Sequence, residues 1–183
     1  METETLRREV RRAARGEEDA AALLFDNYYP RVYRYALARL GNSPDAEDVA
    51  AETFARVLRD LDRFKWRGAG FEAWLFRIAS NLVVDFVRSW VREQSEEAVT
   101  EELDRVEERT PETAVIGLET ARELGRLLDE LGPDQKEVLL LRFAAGLDTK
   151  QVARAMRRRP NAVRQLQFRA LAKLRDRMGA EVR

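Results

Sequence analysis

The feature that most constrains the fold is a long run of apolar residues at helical spacing in the middle of the chain. Between residues 71 and 91 these side chains recur every three or four positions, which is the period of an amphipathic α-helix. They are Phe71, Trp74, Leu75, Ile78, Ala79, Leu82, Val83, Phe86, Val87, Trp90 and Val91. The opposite face is polar and mostly basic, so one face is suited to a hydrophobic core and the other to a polar, mostly anionic partner.

A second apolar stripe runs from residue 46 to 64 and predicts the helix that precedes the long one. Acidic residues crowd its start, where the helix dipole favours negative charge. Residues 1–16 are mostly charged, with apolar positions at Leu6, Val10 and 13–14, and could form a marginal helix or a frayed end. We expect them to be poorly ordered, at least at the first few residues.

The stretch 17–40 has helical periodicity but contains Pro30. A proline removes a backbone donor and restricts the residue before it, so the sequence predicts a break or kink, with two helices that meet near residues 29–31. Gly41 suits the C-terminal end of the stretch, and either Ser43 or Asp45 can cap the helix that follows.

Helical periodicity returns at residue 116 and continues to the C-terminus. Pro133 suits a first helical position, Gly146 is expected to end that helix, and Thr149 can cap the next one. A turn at 157–160 then leads to a basic last helix. Two helices joined by a tight turn, the second of them basic, predict a helix-turn-helix.

The chain contains neither Cys nor His. This composition argues against structural zinc sites, disulfides, thiol nucleophiles and histidine-based catalysis. The acids cluster at helix starts and in one acidic stretch, so we expect no enzyme activity, metal or cofactor. No apolar run approaches the roughly 18–20 residues that span a bilayer, and no signal-peptide pattern opens the chain, so a cytoplasmic location without membrane insertion is predicted.

The formal net charge is zero, but the charges are strongly segregated along the chain. Residues 56–92 carry 8 basic and 4 acidic residues, 93–120 carry 2 and 10, and 149–183 carry 11 and 2. Two basic blocks on amphipathic helices favour nucleic acid as a partner. We predict an all-α fold of two small helical domains joined by an acidic flexible linker. The expected divisions are a tail at 1–16, a first domain at 17–92, the linker at 93–115 and a second domain at 116–183.

Several of these stretches resemble bacterial RNA polymerase sigma factors of the extracytoplasmic-function (ECF) group, in the sigma-70 family. The segments LFDNYYPRVYRYALARL, AEDVAAETF, DRF and FEAWLFRIASNLVVDFVR resemble the second conserved region of that family. The segment GPDQKEVLLLRFAAGLDTKQVARAM and the helix after it resemble the fourth region. The resemblance implies that the chain binds core RNA polymerase, recognises the −10 and −35 promoter elements, and is held inactive by an anti-sigma factor.

For the second region, the resemblance implies polymerase contacts on the first helix and promoter contacts on the loop and helix after it. The polymerase-binding residues would be Asp45, Asp48, Glu52, Thr53 and Arg56. The −10 residues would be Lys65, Trp66, Arg67, Arg77, Asn81, Asp85, Arg88 and Arg92. On local chemistry alone the loop around Trp66 could equally be a plain connection, Asn81 could bond locally, and Asp85 could pair with a neighbouring arginine.

For the fourth region, the resemblance implies that the last helix reads the −35 element. Its contact residues would be Arg158, Asn161, Arg164, Gln165, Gln167, Arg169 and Lys173. Arg and Gln are side chains that pair with guanine and adenine edges, although a basic helix face can also be simply solvated. Arg157 stands where the family usually has a glycine, so it must adopt the backbone angles that the turn requires.

Two other classes of function remain open on the sequence. A conventional helix-turn-helix regulator would be expected to form a dimer on a palindromic site. A helical decoy or interaction module would occupy polymerase or an anti-sigma factor without reading DNA. In the sigma family the linker threads through polymerase towards the RNA exit path, and the acidic composition suits that role as well as it suits a plain tether.

Overall fold

The structure, a computed structural model, describes residues 3–66, 70–97 and 125–181. The described residues form helices and turns with no strand, as the predicted all-α fold requires. The first helices are α1 (Thr3–Ala13), α2 (Glu18–Leu40), α3 (Ser43–Asp60), a 3₁₀ turn (Leu61–Arg63) and α4 (Gly70–Glu97). The later helices are α5 (Pro133–Leu139) with a π-helical turn (Leu140–Ala144), α6 (Thr149–Ala155) and α7 (Pro160–Glu181). Most of the predicted linker, 98–115, lies outside the described residues.

Residues 3–13 form helix α1, so of the two alternatives for this stretch the helix is the one found, and the expected poor order was wrong for these residues. Leu6, Val10 and Ala13 recur on one face and are buried where α1 packs on α2. Glu9 is also buried, with 2% of its surface exposed, and its carboxylate accepts hydrogen bonds from Arg8 and Arg12 at 2.8 Å each. The helix thus combines a short buried apolar stripe with a buried acid, Glu9, whose charge is balanced by two arginines of the same helix.

Helix α2 runs without interruption through Pro30, so the predicted break was wrong. Tyr28 and Val32, two positions before and after the proline, are buried in the core. A proline removes one backbone hydrogen bond, but a helix whose flanking turns are held by packing can tolerate that loss. The end of α2 is as predicted, because Gly41 adopts φ 82° and donates its backbone N–H to the carbonyl of Leu37 at 2.9 Å.

Two helix caps lie earlier in the chain than predicted. Asn42 caps α3, since its Oδ1 accepts from the backbone N–H of Asp45 at 2.9 Å, instead of Ser43 or Asp45 acting as the cap. Asp148 caps α6 in place of Thr149, and its carboxylate accepts from the backbone N–H of Gln151 at 2.8 Å. Asn and Asp present an oxygen at the geometry an N-cap needs, and both are stronger caps than Thr.

The two domains pack directly against each other. Helix α4 packs on α6, and α2 packs on the π-helical turn that follows α5. The buried apolar residues of both domains join in one hydrophobic cluster, which extends from Leu6 to Ala170. Each domain therefore covers apolar surface that the other would expose if the two were apart.

Candidate nucleic-acid and polymerase interfaces

The acidic face of α3 is largely free of the core. Asp48 and Glu52 are exposed one turn apart, while Asp45 and Arg56 are partly exposed, and Glu52 accepts a hydrogen bond from Arg56 at 2.7 Å. Thr53 does not share this face. It is fully buried, and its hydroxyl donates to the carbonyl of Val49 at 2.7 Å, so in this structure it supports the helix from inside.

Helix α4 places five predicted −10 residues on one stripe. Asn81, Asp85, Arg88 and Arg92 follow each other at three- and four-residue spacing, and all four are exposed. Arg77 continues the stripe one turn earlier and is partly exposed. The apolar residues between 71 and 86 are on the other side, where Leu82 and its neighbours are buried, whereas Val87, Trp90 and Val91 of the same series are exposed. Over residues 71–86 the helix therefore separates a core face from a polar face as the periodicity predicted.

The loop before α4 is anchored by Trp66. Its ring is half-buried, lies 5.8 Å from the ring of Phe64 in a T-shaped arrangement, and has the guanidinium of Arg7 over it at 5.0 Å. Gly70 has φ 76°, which favours glycine, and a Cβ there would lie 3.2 Å from the indole and crowd it. Lys65 is exposed beside the anchor, and Arg67 lies outside the described residues.

The last helix, α7, carries most of the predicted −35 residues on its exposed side. Asn161, Arg164, Gln165 and Arg169 are exposed near its N-terminal half, and Arg164 donates to Asn161 Oδ1 at 3.1 Å. Two other basic residues predicted to contact the −35 element bond instead to residues of their own domain. Arg158 is paired with Asp134, and Lys173 donates to the carbonyl of Glu130.

Two residues of α7 differ from the expected contact surface. Gln167 is half-buried and lies about 120° around the helix from Asn161. Phe168 shares the stripe of Asn161 and Arg164 and is 74% exposed, although the sequence analysis did not select it. Its spacing of seven residues from Asn161 was the signal that could have identified it, since Phe can contact a thymine methyl group in the major groove.

A buried carboxylate joins the two domains. Glu137 of α5 accepts hydrogen bonds from the hydroxyls of Tyr35 and Ser80 at 2.8 Å each, and Arg39 lies 3.8 Å away. Burial raises the pKa of the Tyr35 hydroxyl well above its usual value, and the negative charge of Glu137 raises it further, so Tyr35 acts as a donor at neutral pH. No pattern in the sequence indicated this contact, because the two residues are 102 positions apart.

A second polar contact lies nearby between the same domains. Arg31 donates to Glu72 at 2.6 Å within the first domain and to the carbonyl of Ala145 in the second at 2.9 Å. Gln151, which also completes the cap of α6, donates to the other oxygen of Glu72. Glu72 therefore connects α2, α4 and α6.

Two family models match the chain. Sigma-70 region 2 matches residues 24–93, and Sigma-70, region 4 matches residues 121–174. None of the described helices is long and apolar enough to cross a membrane. The matches and the helical fold define the class of this protein as a sigma factor of the sigma-70 family.

Two relatives specify the group within that class. The ECF RNA polymerase sigma factor ShbA of Streptomyces griseus is 36% identical over 176 residues, which cover 91% of this chain and 91% of ShbA. The ECF RNA polymerase sigma factor BldN of Streptomyces coelicolor is 41% identical over 166 residues, which cover 90% of this chain and 62% of BldN. The chain thus spans less than two thirds of BldN but nearly all of ShbA. It belongs to the ECF RNA polymerase sigma factors.

Two solved structures share the fold. CnrH, in complex with the cytosolic domain of CnrY, matches with a TM-score of 0.73 at 23% identity, covering 95% of this chain and 97% of CnrH. RpoE of Bartonella quintana, in complex with the anti-sigma factor NepR, matches with a TM-score of 0.67 at 21% identity, covering 85% and 94%. At these identities the likeness concerns the fold.

Proposed function

We propose that this protein binds core RNA polymerase and directs initiation at promoters that it recognises through a −10 and a −35 element. The observation that carries the proposal is the pair of exposed polar helix faces, one on α4 and one on α7, each within a segment that matches a sigma-70 region. Two separate reading faces on one chain suit a two-part asymmetric site. A dimeric regulator would instead repeat one face by symmetry.

The −10 face is the stripe on α4 with Lys65 beside it. The arginines of this stripe, Arg77, Arg88 and Arg92, can hold phosphates, while Asn81 can hydrogen-bond an unstacked base. Trp66 is already packed between Phe64 and Arg7, so its proposed part is to hold the loop near the strand, and it would need to leave this packing to stack on a base.

The −35 face is the exposed side of α7. Arg164, Gln165 and Asn161 offer donors and acceptors to base edges in the major groove, and Phe168 adds an apolar contact suited to thymine. Core polymerase is proposed to bind the acidic side of α3 through Asp48 and Glu52, which are exposed and free of the core.

An anti-sigma protein is proposed as a further partner. The shared fold occurs bound to an anti-sigma factor in RpoE and to a cytosolic domain in CnrH. In this chain α4 also exposes Val87 and Trp90 at one-turn spacing, with 41% and 51% of their surfaces accessible, so apolar surface is available to a protein partner.

The test is reconstitution of the protein with core polymerase that lacks any sigma factor, followed by mapping of start sites on a genomic promoter library. We expect discrete start sites that share a spaced two-part upstream sequence. Asn81→Ala should weaken selection of the start-proximal part, and Phe168→Ala should weaken selection of the distal part. Polymerase binding without initiation would favour the decoy, and duplex binding without polymerase binding would favour the conventional regulator.

A further inference from the structure

A cleft between the two domains is lined by cations from both sides. Helix α4 contributes Arg77, and α6 with the turn after it contributes Lys150, Arg154 and Arg157. The volume of this cleft is about 720 Å³. A neighbouring cleft of about 310 Å³ shares Arg77 and Arg154 as walls.

Among the described residues these cations have no acidic partner, and no described acidic residue lines either cleft. Within the part of the chain that the structure describes, none of the four forms an ion pair, whereas Arg158 at the rim is paired with Asp134. Burial lowers the pKa of Arg77, and the nearby charges of Arg157 and Arg154 lower it further. The three guanidinium groups are therefore close enough to repel one another.

The turn reinforces this convergence. Arg157 has φ 53°, a left-handed conformation that is costly for a residue with a Cβ. The backbone N–H of Arg158 donates to the carbonyl of Ala153 at 2.8 Å and helps to hold the turn. The turn itself imposes this angle, and the Arg157 side chain that follows from it lines the cleft.

The chemistry of the cleft specifies the class of ligand. Guanidinium groups bind phosphate oxygens through paired, charge-assisted hydrogen bonds. A molecule with several negative charges can contact several of these guanidinium groups at once, so it should bind better than a small ion with a single charge. We infer that this interdomain cleft binds a small anion with two or more phosphate groups, held between Arg77 of the first domain and Arg154 and Arg157 of the second.

Such a ligand would hold the two domains together. An anion that contacts both domains binds the packed arrangement more tightly than a separated one, so it stabilises packing by linkage. The next consequence rests on the proposed function, since Arg77 belongs to the −10 face. A ligand on Arg77 would compete with promoter DNA, and the same chain would respond to the concentration of a polyphosphate.

The test is titration of the full chain with inorganic tripolyphosphate by calorimetry, at about 0.1 M salt to screen distant surface charge. Arg154→Gln and Arg77→Gln should each weaken binding about tenfold, the loss expected for one charge-assisted contact. Arg34→Gln is the matched control, because Arg34 is an exposed cation on α2 that forms no ion pair with a described residue. Arg154 is also exposed, so its replacement leaves the core intact.

The results of this titration distinguish a specific site from general electrostatic attraction between the anion and the basic surface. Absence of binding, equal weakening by Arg34→Gln, or equally tight binding of orthophosphate would each overturn the inference. If Arg77→Gln weakened binding of tripolyphosphate and Arg154→Gln did not, the anion would not bridge the two domains. Adenosine triphosphate, tested in parallel, reports whether the phosphate chain alone is recognised or whether Phe64 and Trp74, which line the smaller cleft, add affinity for a base. Initiation measured without tripolyphosphate tests the proposed function alone.

Discussion

Arg157 shows how one residue carries both a structural cost and a charge. The sequence placed it where a turn of this family usually has glycine, and it adopts φ 53°. A Cβ at this backbone angle crowds the following carbonyl, which glycine avoids. The side chain nevertheless lines the interdomain cleft. Retaining an arginine here is consistent with the anion site inferred above.

Replacing this arginine should therefore stabilise the fold. We expect Arg157→Gly to raise the free energy of unfolding by about 1 kcal/mol, because the left-handed strain is removed. Arg154→Gly is the control, since it removes a neighbouring cation from a right-handed helical position and should lower stability by about 1 kcal/mol. Urea denaturation of both variants measures the two effects. A change of the same sign in both would contradict the strain argument.

At the scale of elements, α1 is joined to α2 by ion pairs as well as by apolar packing. Arg12 contacts Glu9 at 2.8 Å, Glu17 at 2.7 Å and Asp19 at 2.6 Å, so it ties α1 to the start of α2. Arg7 extends from the same helix over Trp66. Although the matched sigma-70 region 2 begins at residue 24, α1 thus packs against Trp66, which precedes the proposed −10 face.

Acidification should weaken the ion pairs of Arg12 with Glu9 and Asp19, and with them the packing of α1 on α2. The hydrogen bond from Arg8, together with the bond and charge of Arg12, lowers the pKa of Glu9, and Arg12 likewise lowers the pKa of Asp19. A carboxylate with a lowered pKa stabilises the folded state above its ordinary pKa of about 4.3, and the stabilisation is lost as pH falls through the lowered value.

We therefore expect the wild type to lose more stability between neutral pH and acid than Glu9→Gln, which has no charge to lose at that position. Urea denaturation across that range measures the difference. Glu4→Gln is the control, because Glu4 is exposed on the same helix and forms no ion pair with a described residue, so it should follow the wild type. Parallel curves for wild type and Glu9→Gln would refute the role of Glu9.

At the scale of the whole molecule, the packed arrangement of the domains is held by apolar contact and by two polar contacts. The carboxylate of Glu137, in the second domain, contacts Tyr35 of the first domain. The carboxylate of Glu72, in the first domain, contacts Arg31 of its own domain and Gln151 of the second. Buried hydrogen bonds of this kind give an interface a single geometry, and they are costly to leave unmade. Opening of the domains would expose Glu137 to water and free the cations of the cleft.

We expect Tyr35→Phe to favour the open arrangement, because it removes a hydrogen bond to a charged group, worth about 1.5–3 kcal/mol, without changing the packed ring. The ratio of closed to open molecules should fall by about tenfold or more. The chain has no cysteine, so single cysteines introduced at Arg59 and Arg175 can carry a fluorescence energy-transfer pair.

The control for that measurement is Tyr33→Phe. Tyr33 is hydrogen-bonded at 2.9 Å to Ser43 within the first domain, so the same chemical change there should leave the interdomain distance unaltered. If both variants behave alike, Glu137 does not hold the domains together.

The sequence by itself determined what depends on neighbours along the chain. The period of the apolar residues defined α4 and its polar face, Gly41 ended α2, and Arg157 was identified as the residue that the turn would strain. These features follow from spacing and backbone angles within a few residues. Errors arose where a local signal competed with packing, as at Pro30 and in α1.

Only the tertiary structure decided what depends on residues far apart in the sequence. Tyr35 meets Glu137, Trp66 lies beneath Arg7, and Arg77 faces Arg154, although no short-range pattern connects any of these pairs. The burial of Thr53 likewise depends on the elements that surround α3. Local periodicity specifies which face of a helix is apolar, whereas its partner is chosen by the packing of the whole core.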